Sequence, residues 1–340
     1  MKMLHLRAAR SRMPKDGLFV DKLHALGQYD DIDLDPSMTE EDRNDLIRQY
    51  DVLLTIWNNF EVSPALAENP GNLKYICNVS GSLKEWIPPE IAASGIQLTN
   101  WGDAPANGVA EGALALLFAV MKDIPAHVLS VRAEHWGVGD TVYGAGYPAL
   151  GGTLYGMHVG VYGFGVIGRR FVEMLAPFGA EVMVFDPYVT ELPAGCAKAE
   201  TLADLFRFSD AMVVHAGRSE ETIGSITAEL LALLPDGGIV INTARGELFD
   251  QGALFAELAT GRLRAGLDVL SFTDRLEPGD PMRQLPNCIF TAHCVGAEKW
   301  PTHANKLPRM YEIALENLTR FQNGEPLRFT MDPVRYARST

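Results

Sequence analysis

The pattern of apolar positions predicts short buried strands that alternate with helices along the whole chain. Apolar runs of strand length lie at 3–6, 51–55, 75–79, 96–100, 157–162, 182–186, 210–215, 239–242, 265–269 and 288–291. Most of them are apolar at successive positions, which is typical of parallel strands covered on both faces. Helix-like segments separate the runs, so the pattern predicts an α/β protein built on parallel sheets.

Two long helices and one irregular segment interrupt this alternation. Residues 107–121 predict a helix that begins at Asn107 and is apolar around most of its circumference, as in helices buried between layers. Residues 302–323 predict a second long helix. Residues 127–152 show no clear period, and we expect an irregular arm whose aromatic side chains pack on a second subunit; these are Trp136, Tyr143 and Tyr147.

The stretch 155–188 carries the most specific chemical signal. It reads as strand, glycine-rich turn, amphipathic helix, strand and acid. Such a turn allows a tight exit from the strand, lets a pyrophosphate approach the backbone, and directs helix N–H groups at the phosphates. The alternative is a structural βαβ unit without a ligand. The context favours a dinucleotide site with contacts from Gly163, Gly165, Val166, Ile167 and Gly168.

Asp186 ends the strand after this turn, and Pro187 follows it. A carboxylate at this place accepts hydrogen bonds from the ribose hydroxyls of the adenosine half, and it repels the 2′-phosphate of NADP. No arginine follows immediately to bind such a phosphate. The expected cofactor is therefore NAD (NADH) rather than NADP, with Asp186 and Pro187 among its contacts.

Composition narrows the class of protein. A chain of 340 residues is expected to hold about two domains. The formal net charge of −14 argues against nucleic acid and against anionic membrane surfaces as partners. The sequence shows no apolar leader and no run that could span a bilayer, so we expect a cytoplasmic protein. The four cysteines lack metal-ligand spacing, and no metal site is expected.

Polar residues directly follow several of the predicted strands. Because ligands of open parallel sheets bind beyond the carboxyl ends of strands, we expect one site to collect these residues. Arg245 is suited to clamp a carboxylate, although a surface or ion-paired arginine is the alternative. A single histidine such as His293 is, on spacing alone, more often a packing residue than a catalyst. The residues at strand ends are Asp186, His215, Ala216, Thr243, Ala244, Arg245, Asp268 and His293.

Four ordered motifs resemble the NAD-dependent D-2-hydroxyacid dehydrogenase family, in particular glyoxylate/hydroxypyruvate reductase-like members. They are the glycine turn at 163–168, Asn242-Thr243-Ala244-Arg245-Gly246, Leu267-Asp268-Val269, and a segment ending in Thr291-Ala292-His293. The resemblance covers nearly the whole chain, and the order and spacing make it far more specific than any single motif. With the resemblance, a functional role becomes the favoured interpretation of both Arg245 and His293.

The resemblance implies a fold and a domain layout. Residues 102–299 would form a Rossmann-type doubly wound sheet that binds NAD. Both chain ends, 1–101 and 300–340, would form a smaller flavodoxin-like α/β substrate domain. The family resemblance also favours a homodimer.

The resemblance also implies residue roles. Ser80, Gly81 and Ser82 match a loop whose backbone N–H groups hold the substrate carboxylate. Arg245 matches the residue that binds the carboxylate and polarises the carbonyl, and His293 matches the acid/base. The implied cofactor contacts at the other strand ends are Ala216, Thr243, Ala244 and Asp268.

Three departures from the family pattern concern the surroundings of these residues. The family has an acid, Glu before Pro, that hydrogen-bonds the catalytic histidine. Counting back from His293 selects Asp274 here, whereas matching the letters Glu-Pro selects Glu277; we favour Asp274. Ala292 stands where proline usually precedes the histidine, and Ala216-Gly217 replaces the usual proline after His215.

The leading hypothesis is an oxidoreductase that transfers a hydride between NAD(H) and a 2-keto acid/D-2-hydroxy acid pair. The alternative is an NAD-responsive scaffold or corepressor-like binding protein of the same fold with little catalysis. A nucleotide-fold methyltransferase, a third hypothesis, predicts no paired Arg245 and His293. Four tryptophans are expected to line the substrate pocket and to favour an apolar or aromatic acid: Trp57, Trp86, Trp101 and Trp300.

Overall fold

The computed structural model describes residues 1–57, 59–81, 83–136, 152–297 and 306–338. The chain forms two compact units. The terminal unit consists of Met1–Pro105 and Glu298–Thr340, and the central unit is Ala106–Ala297. These boundaries lie a few residues from those expected at 101/102 and 299/300.

The first part of the terminal unit alternates strands and helices. Its elements are β1 (Lys2–Arg7), α1 (Leu18–Leu26), β2 (Gln28–Asp33), α2 (Glu40–Ile47), β3 (Val52–Thr55), α3 (Ala65–Glu68), β4 (Tyr75–Asn78), α4 (Pro89–Ala93) and β5 (Gln97–Thr99). The strands form one parallel sheet in the order β2-β1-β3-β4-β5, which is the flavodoxin-like arrangement.

The central unit begins with two helices and continues as a second α/β layer structure. Its elements are α5 (Ala106–Met121), α6 (Ile124–Arg132), β6 (His158–Tyr162), α7 (Val166–Leu175), β7 (Glu181–Phe185), β8 (Cys196–Lys198), α8 (Leu202–Phe208), β9 (Ala211–Val214), α9 (Ala228–Leu231), β10 (Ile239–Asn242), α10 (Gln251–Ala259), β11 (Arg264–Leu267) and β12 (Cys288–Phe290). Three short 3₁₀ turns lie at Ala176–Phe178, Gly246–Leu248 and Pro281–Gln284.

The sheet of the central unit has seven parallel strands in the order β12-β11-β10-β9-β6-β7-β8. The order reverses between β6 and β9, and this reversal is the switch point at which doubly wound sheets bind ligands. Two parallel sheets flanked by helices confirm the predicted fold class.

The chain ends in the terminal unit with α11 (Arg309–Asn323) and α12 (Pro333–Arg338). One face of α11 packs Ala314 and Leu318 into the same core as Met3 of β1 and Tyr75 of β4. The long C-terminal helix is therefore part of this unit's core, and its sequence is amphipathic for that reason.

Both faces of each sheet are buried, which explains why the strands are apolar at successive positions. Along β3, Val52 and Leu54 belong to one core cluster, while Leu53 belongs to the cluster on the opposite face. The strands of the central unit divide in the same way: Val161 of β6 and Tyr162 lie in different clusters. β2 and β8 are exceptions, because both are edge strands with exposed residues, and the apolar pattern predicted neither of them.

The segment 127–152, expected to be irregular, begins inside a helix. Asp123 adopts a left-handed conformation (φ 53°), and α6 starts directly after it at an angle of 59° to α5. Tyr143 and Tyr147 lie outside the described residues. Within the described ranges, no single helix is long and apolar enough to cross a membrane; α5 and α6 taken together would pass on length and composition alone.

Three further helix predictions need correction. Asn107 lies inside α5, where its Oδ1 accepts a hydrogen bond from Arg170 Nε (2.7 Å), so it does not cap the helix. The helix expected at 225–234 is limited to α9, because Ile226 forms a β-bridge with Phe249. The last long helix begins at Arg309, after Pro308, and residues 302–305 of the predicted helix lie outside the described residues.

Candidate active site

The glycine turn between β6 and α7 has the geometry expected from its sequence. Gly163 is left-handed (φ 94°), and a Cβ on it would lie 2.4 Å from the backbone nitrogen of Ala216. A Cβ on Gly168 would lie 2.2 Å from the carbonyl oxygen of Gly163. A Cβ on Gly165 would meet no atom within 4 Å. Two glycines therefore permit close packing, and the middle one leaves open space before the N-terminus of α7, where Val166 and Ile167 begin the helix.

Asp186 follows β7, and two backbone N–H groups fix its carboxylate. Phe164 N donates to Oδ2 (2.7 Å), and Tyr188 N donates to Oδ1 (2.9 Å). The first bond ties the acid to the glycine turn itself. Pro187, the next residue, is exposed. The structure thus brings the acid and the glycine turn together, as the sequence predicts for a dinucleotide site.

His215 and Thr243 follow β9 and β10, next to the switch point. Both are buried, and neither ring nitrogen of His215 nor Thr243 Oγ1 has a hydrogen-bond partner among the described residues. Burial lowers the pKa of His215 to about 3, so the ring is neutral. Its ring lies 5.1 Å from that of Phe171 on α7. From the sequence, His215 was singled out only because it directly follows a predicted strand, and no ligand contact was predicted for it.

Arg245 stands at the end of a turn that Asn242 shapes. Asn242 Oδ1 accepts from Ala244 N (3.0 Å), and its Nδ2 donates to the carbonyl of Arg245 (2.9 Å). The half-buried Arg245 also donates from Nη1 to the carbonyl of Ala244 (2.7 Å). A Cβ on Gly246 would lie 1.9 Å from the backbone of Leu270, so only glycine fits there. The side chain of a strand residue thereby fixes the backbone that carries the guanidinium.

Asp268 organises the loop after β12. Its Oδ1 accepts from Thr291 Oγ1 (2.6 Å), Cys294 N (2.9 Å) and Val295 N (3.1 Å), and its carbonyl accepts from His293 N (2.6 Å). The side chain is buried, and its backbone N–H donates to the carbonyl of Asn242. Asp268 therefore positions the segment 291–295; the cofactor contact implied by the resemblance stays a prediction.

His293 pairs with Asp274. Its Nδ1 lies 2.5 Å from Asp274 Oδ2, while Asp274 Oδ1 accepts from Leu270 N (2.7 Å). Glu277, the alternative from the sequence, instead forms an ion pair with Arg275 (2.8 Å). Because a carboxylate accepts the Nδ1 proton, the ring is held as the tautomer whose Nε2 is left to exchange a proton.

The backbone around His293 is unusual. Ala292 and His293 are both left-handed, with φ of 51° and 57°. Proline cannot adopt a positive φ, so the backbone conformation found here excludes proline at position 292.

In the terminal unit, Ser80 and Gly81 follow β4 and lie beneath an indole. A Cβ on Gly81 would come within 2.2 Å of the Trp101 ring. Buried Asn78 shapes this turn by donating from Nδ2 to the carbonyl of Ser80 (2.7 Å). Ser82 lies outside the described residues. The substrate-carboxylate role of this turn stays a prediction.

The four tryptophans separate into different environments. Trp57 and Trp101 make an edge-on contact, with ring centroids 5.2 Å apart. Trp86 is buried in the core with Ile76 and Leu98, so it is a packing residue. Trp300 lies outside the described residues.

Two other residues predicted to contact the cofactor, Ala216 and Ala244, follow β9 and β10. Ala216 is buried beside the glycine turn, and Ala244 is half-buried in the turn before Arg245. Across the described part of the chain, no group of three or more His, Cys, Asp or Glu side chains is arranged to hold a metal ion. Cys294 is exposed, in contrast to the buried cysteines Cys77 and Cys288.

The central unit fits a dinucleotide cofactor. The open space before Gly165 admits a pyrophosphate to the N-terminus of α7. The buried polar atoms of His215 and Thr243 follow β9, the neighbour of β6, and β10, one strand further on. Asp186 is fixed at the place where the adenosine ribose is bound in such folds.

Residues 114–295, just over half of the chain, match the family model of the D-isomer specific 2-hydroxyacid dehydrogenase, NAD binding domain. The chain belongs to this family, and the resemblance seen in the sequence is confirmed. The matched range lies inside the central unit, which is therefore the nicotinamide dinucleotide-binding domain.

Curated relatives fall into two groups. The hydroxypyruvate reductase of Thermotoga maritima is 30% identical over 259 residues, which cover 74% of this chain and 79% of the relative. The D-3-phosphoglycerate dehydrogenase of Mycobacterium tuberculosis is 34% identical over 227 residues, 65% of this chain. The matched residues span only 40% of that longer dehydrogenase and 52% of the one from Methanocaldococcus jannaschii.

Solved structures share the fold over nearly the whole chain. The 2-hydroxyacid dehydrogenase of Ketogulonicigenium vulgare superposes with a TM-score of 0.75 at 24% identity, covering 97% of each chain. The D-mandelate dehydrogenase of Rhodotorula graminis gives 0.74 at 19% identity, covering 97% of this chain and 96% of the other. At these identities the likeness establishes the architecture alone.

Proposed function

We propose that the protein is an NAD(H)-dependent oxidoreductase that interconverts a small 2-keto acid and the corresponding D-2-hydroxy acid. The observation that carries this proposal is the Asp274–His293 pair, 2.5 Å between Oδ2 and Nδ1, in the same unit as the dinucleotide turn and Arg245. A histidine whose tautomer is fixed by a carboxylate is suited to acid/base work near neutral pH.

The reaction divides between the protein and the cofactor. When bound, NADH supplies the hydride that is added to C2 of the keto acid. Arg245 binds the substrate carboxylate and carbonyl and stabilises the negative charge that develops on the carbonyl oxygen. His293 donates the Nε2 proton to that oxygen, which completes the alcohol, while Asp274 stabilises the imidazolium. Ser80 and Gly81 are assigned to the substrate carboxylate on the strength of the sequence motif.

We further propose that NAD is preferred over NADP. Both carboxylate oxygens of Asp186 accept backbone N–H bonds, so the negative charge is held in place and opposes a 2′-phosphate. Replacing Asp186 with Ser is expected to raise kcat/KM for NADPH relative to NADH by roughly tenfold or more. An unchanged ratio would contradict the assignment of Asp186.

The decisive experiment follows NADH oxidation with a panel of 2-keto acids: glyoxylate, hydroxypyruvate, pyruvate, phenylpyruvate and 2-ketoisocaproate. We expect turnover of at least one acid, and His293→Ala is expected to lower kcat by roughly a hundredfold to ten-thousandfold. Exposed His127→Ala is the matched control and should retain activity. Absence of turnover with every acid, while calorimetry shows NADH binding, would favour the NAD-responsive scaffold instead.

The homodimer expected from the sequence is proposed on the exposed face of α6. Ile124, Val128 and Val131 are spaced along one side of this helix and are each 43% or more exposed, and Trp136 beyond its end is 85% exposed. An apolar surface of this kind is typical of a subunit interface. A monomer by analytical ultracentrifugation, unchanged in Val128→Glu, would contradict it. The cytoplasmic location stays a prediction.

A further inference from the structure

The carboxylate of Asp274 is carried by a tight turn at 270–274 in the central unit. Asp274 Oδ1 accepts from Leu270 N (2.7 Å), and Asp274 N donates to the carbonyl of Ser271 over a longer distance (3.4 Å). The other carboxylate oxygen, Oδ2, is the one that faces His293 Nδ1. The two bonds inside the turn therefore fix the direction in which the carboxylate reaches the histidine.

The backbone of this turn is strained, and the side chain at its tip adds little packing. Phe272 and Asp274 are both left-handed, with φ of 63° and 52°, a conformation that is unfavourable for residues other than glycine. The Phe272 side chain is 94% exposed. Because a strained backbone persists only where its surroundings hold it, the position of Asp274 depends on contacts that the turn receives from outside.

Gln251 supplies such a contact from the first position of α10. Its Oε1 accepts from Ser271 N (2.7 Å), and Ser271 is buried. A backbone N–H can only donate, so this bond needs the oxygen of the glutamine side chain. The start of the helix is itself fixed, because the Asp250 carboxylate caps it by accepting from Ala253 N (3.0 Å). The acceptor is thus presented to the turn from a rigid element.

The turn that carries Arg245 meets the same backbone. A Cβ on Gly246 would lie 1.9 Å from the carbonyl carbon of Leu270 and 2.2 Å from Ser271 N. The peptide that joins these two residues is therefore packed against Gly246, while its N–H is bonded to Gln251. One segment, 245–251, carries the arginine and also holds the turn that carries the acid.

We propose that Gln251 is a positioning residue for the acid/base pair: its hydrogen bond to Ser271 N holds the Asp274 carboxylate on His293 Nδ1. This inference rests on the function proposed above, because it assigns a further residue to the same reaction. Without the bond, the turn relaxes from its left-handed conformations and the carboxylate moves away from the ring. The neutral imidazole then populates both tautomers instead of the one with its proton on Nδ1.

The first measurement does not depend on turnover. With the ring neutral at alkaline pH, NMR shifts of the ring nitrogens show which of them carries the proton, and the His293 signals are identified by their absence in His293→Ala. In the wild type we expect the proton on Nδ1. Gln251→Met keeps the length of the side chain without its oxygen, so we expect both tautomers. Gln251→Glu keeps an oxygen acceptor and should retain the wild-type tautomer.

The second measurement is steady-state kinetics with a keto acid that the wild type reduces. Gln251→Met should lower kcat by roughly tenfold, because the acid/base group is misplaced, while KM stays within about twofold. The double variant Gln251→Met/Asp274→Asn should be no slower than Asp274→Asn alone, since the glutamine acts through the carboxylate. Gln284→Met is the matched control, because it changes an exposed glutamine of the same unit, and both constants should stay within about twofold.

Gln251→Leu is the second variant without an oxygen acceptor, and it takes the place of Gln251→Met should that protein not fold. A His293 that keeps its wild-type tautomer in these variants overturns the inference. A loss of kcat that is equally large with and without the Asp274 carboxylate, or equally large in Gln284→Met, overturns it as well, because it shows a general effect on the fold. A wild type that binds NADH but reduces no 2-keto acid contradicts the proposed function alone, and the tautomer measurement still decides whether Gln251 positions the pair.

Discussion

The two sheets present chemically different carboxyl edges. In the central unit, the buried carboxylate of Asp268, at the end of β11, holds the loop after β12, and that loop carries His293. In the terminal unit, buried His5 and Arg7 hold the loop after β1 by bonds to Ser11 and to the carbonyl of Met13. That loop carries exposed Arg12, which lies over the Trp57 ring. The comparison shows that a buried acid holds the loop at one edge, whereas a buried histidine and a buried arginine hold the loop at the other.

The largest expected effect comes from Asp268, because its carboxylate holds the loop at the edge of the central sheet. Asp268→Ala removes the buried acceptor of three hydrogen bonds, so we expect the free energy of unfolding to fall by about 3–5 kcal/mol. Urea unfolding measures this loss. Thr291→Val removes only one of the bonds and should cost about 1 kcal/mol. Equal losses in the two variants would show that the carboxylate does not organise the loop.

The second prediction separates the two acids near His293. Asp274→Asn keeps the shape but no longer enforces the catalytic tautomer, so kcat for a turned-over keto acid should fall roughly hundredfold. Glu277→Gln should leave kcat within about twofold, because Glu277 pairs with Arg275. Steady-state kinetics checks both variants, and a larger effect in Glu277→Gln would reverse the assignment.

The third prediction concerns the buried neutral His215. Its folded pKa of about 3 lies below the value of about 6.5 expected in the unfolded chain, so the unfolded state takes up the proton first as pH falls. This site should therefore lower stability by about 2 kcal/mol between pH 7 and pH 5. His215→Gln should reduce that pH dependence by the same amount in urea unfolding. An unchanged dependence of the unfolding free energy on pH in His215→Gln would show that protonation of His215 does not cause it.

The smallest expected effect tests the backbone before His293. Ala292 is left-handed (φ 51°), so Ala292→Gly should raise the free energy of unfolding by up to about 1 kcal/mol. Ala256, exposed on α10, is the matched control, and its change to glycine should lower stability by about the same amount. Changes of the same sign in thermal unfolding would argue against the left-handed conformation.

Much of the fold was predictable from local pattern. Strands buried on both faces show apolar residues at successive positions, and the glycine turn with Asp186 identified the dinucleotide half from its own sequence. β2 and β8 were missed because edge strands with exposed residues lack that signal. α6 was missed because its apolar residues are exposed along one side, in a segment that continues into aromatic and glycine-rich sequence.

The candidate site was less predictable, because its key bonds join distant residues. Family spacing selected Arg245, His293 and Asp274, and the choice of Asp274 over Glu277 agrees with the contact found. No local pattern shows that Asp268 accepts from residues 23 to 27 positions further along the chain. The left-handed pair at Ala292 and His293 is likewise not visible in a local pattern, since non-glycine residues seldom adopt this conformation, and the His293 N–H is held by the Asp268 carbonyl.

The hydrogen bonds to Asp268 also set how quickly backbone protons leave a surface segment. Cys294 has an exposed side chain, yet its amide and that of Val295 donate to a buried carboxylate. Exchange with deuterated water at these two amides therefore requires the segment to open, not merely to be wetted. The exchange rates of these two amides therefore report how often the loop that carries His293 opens.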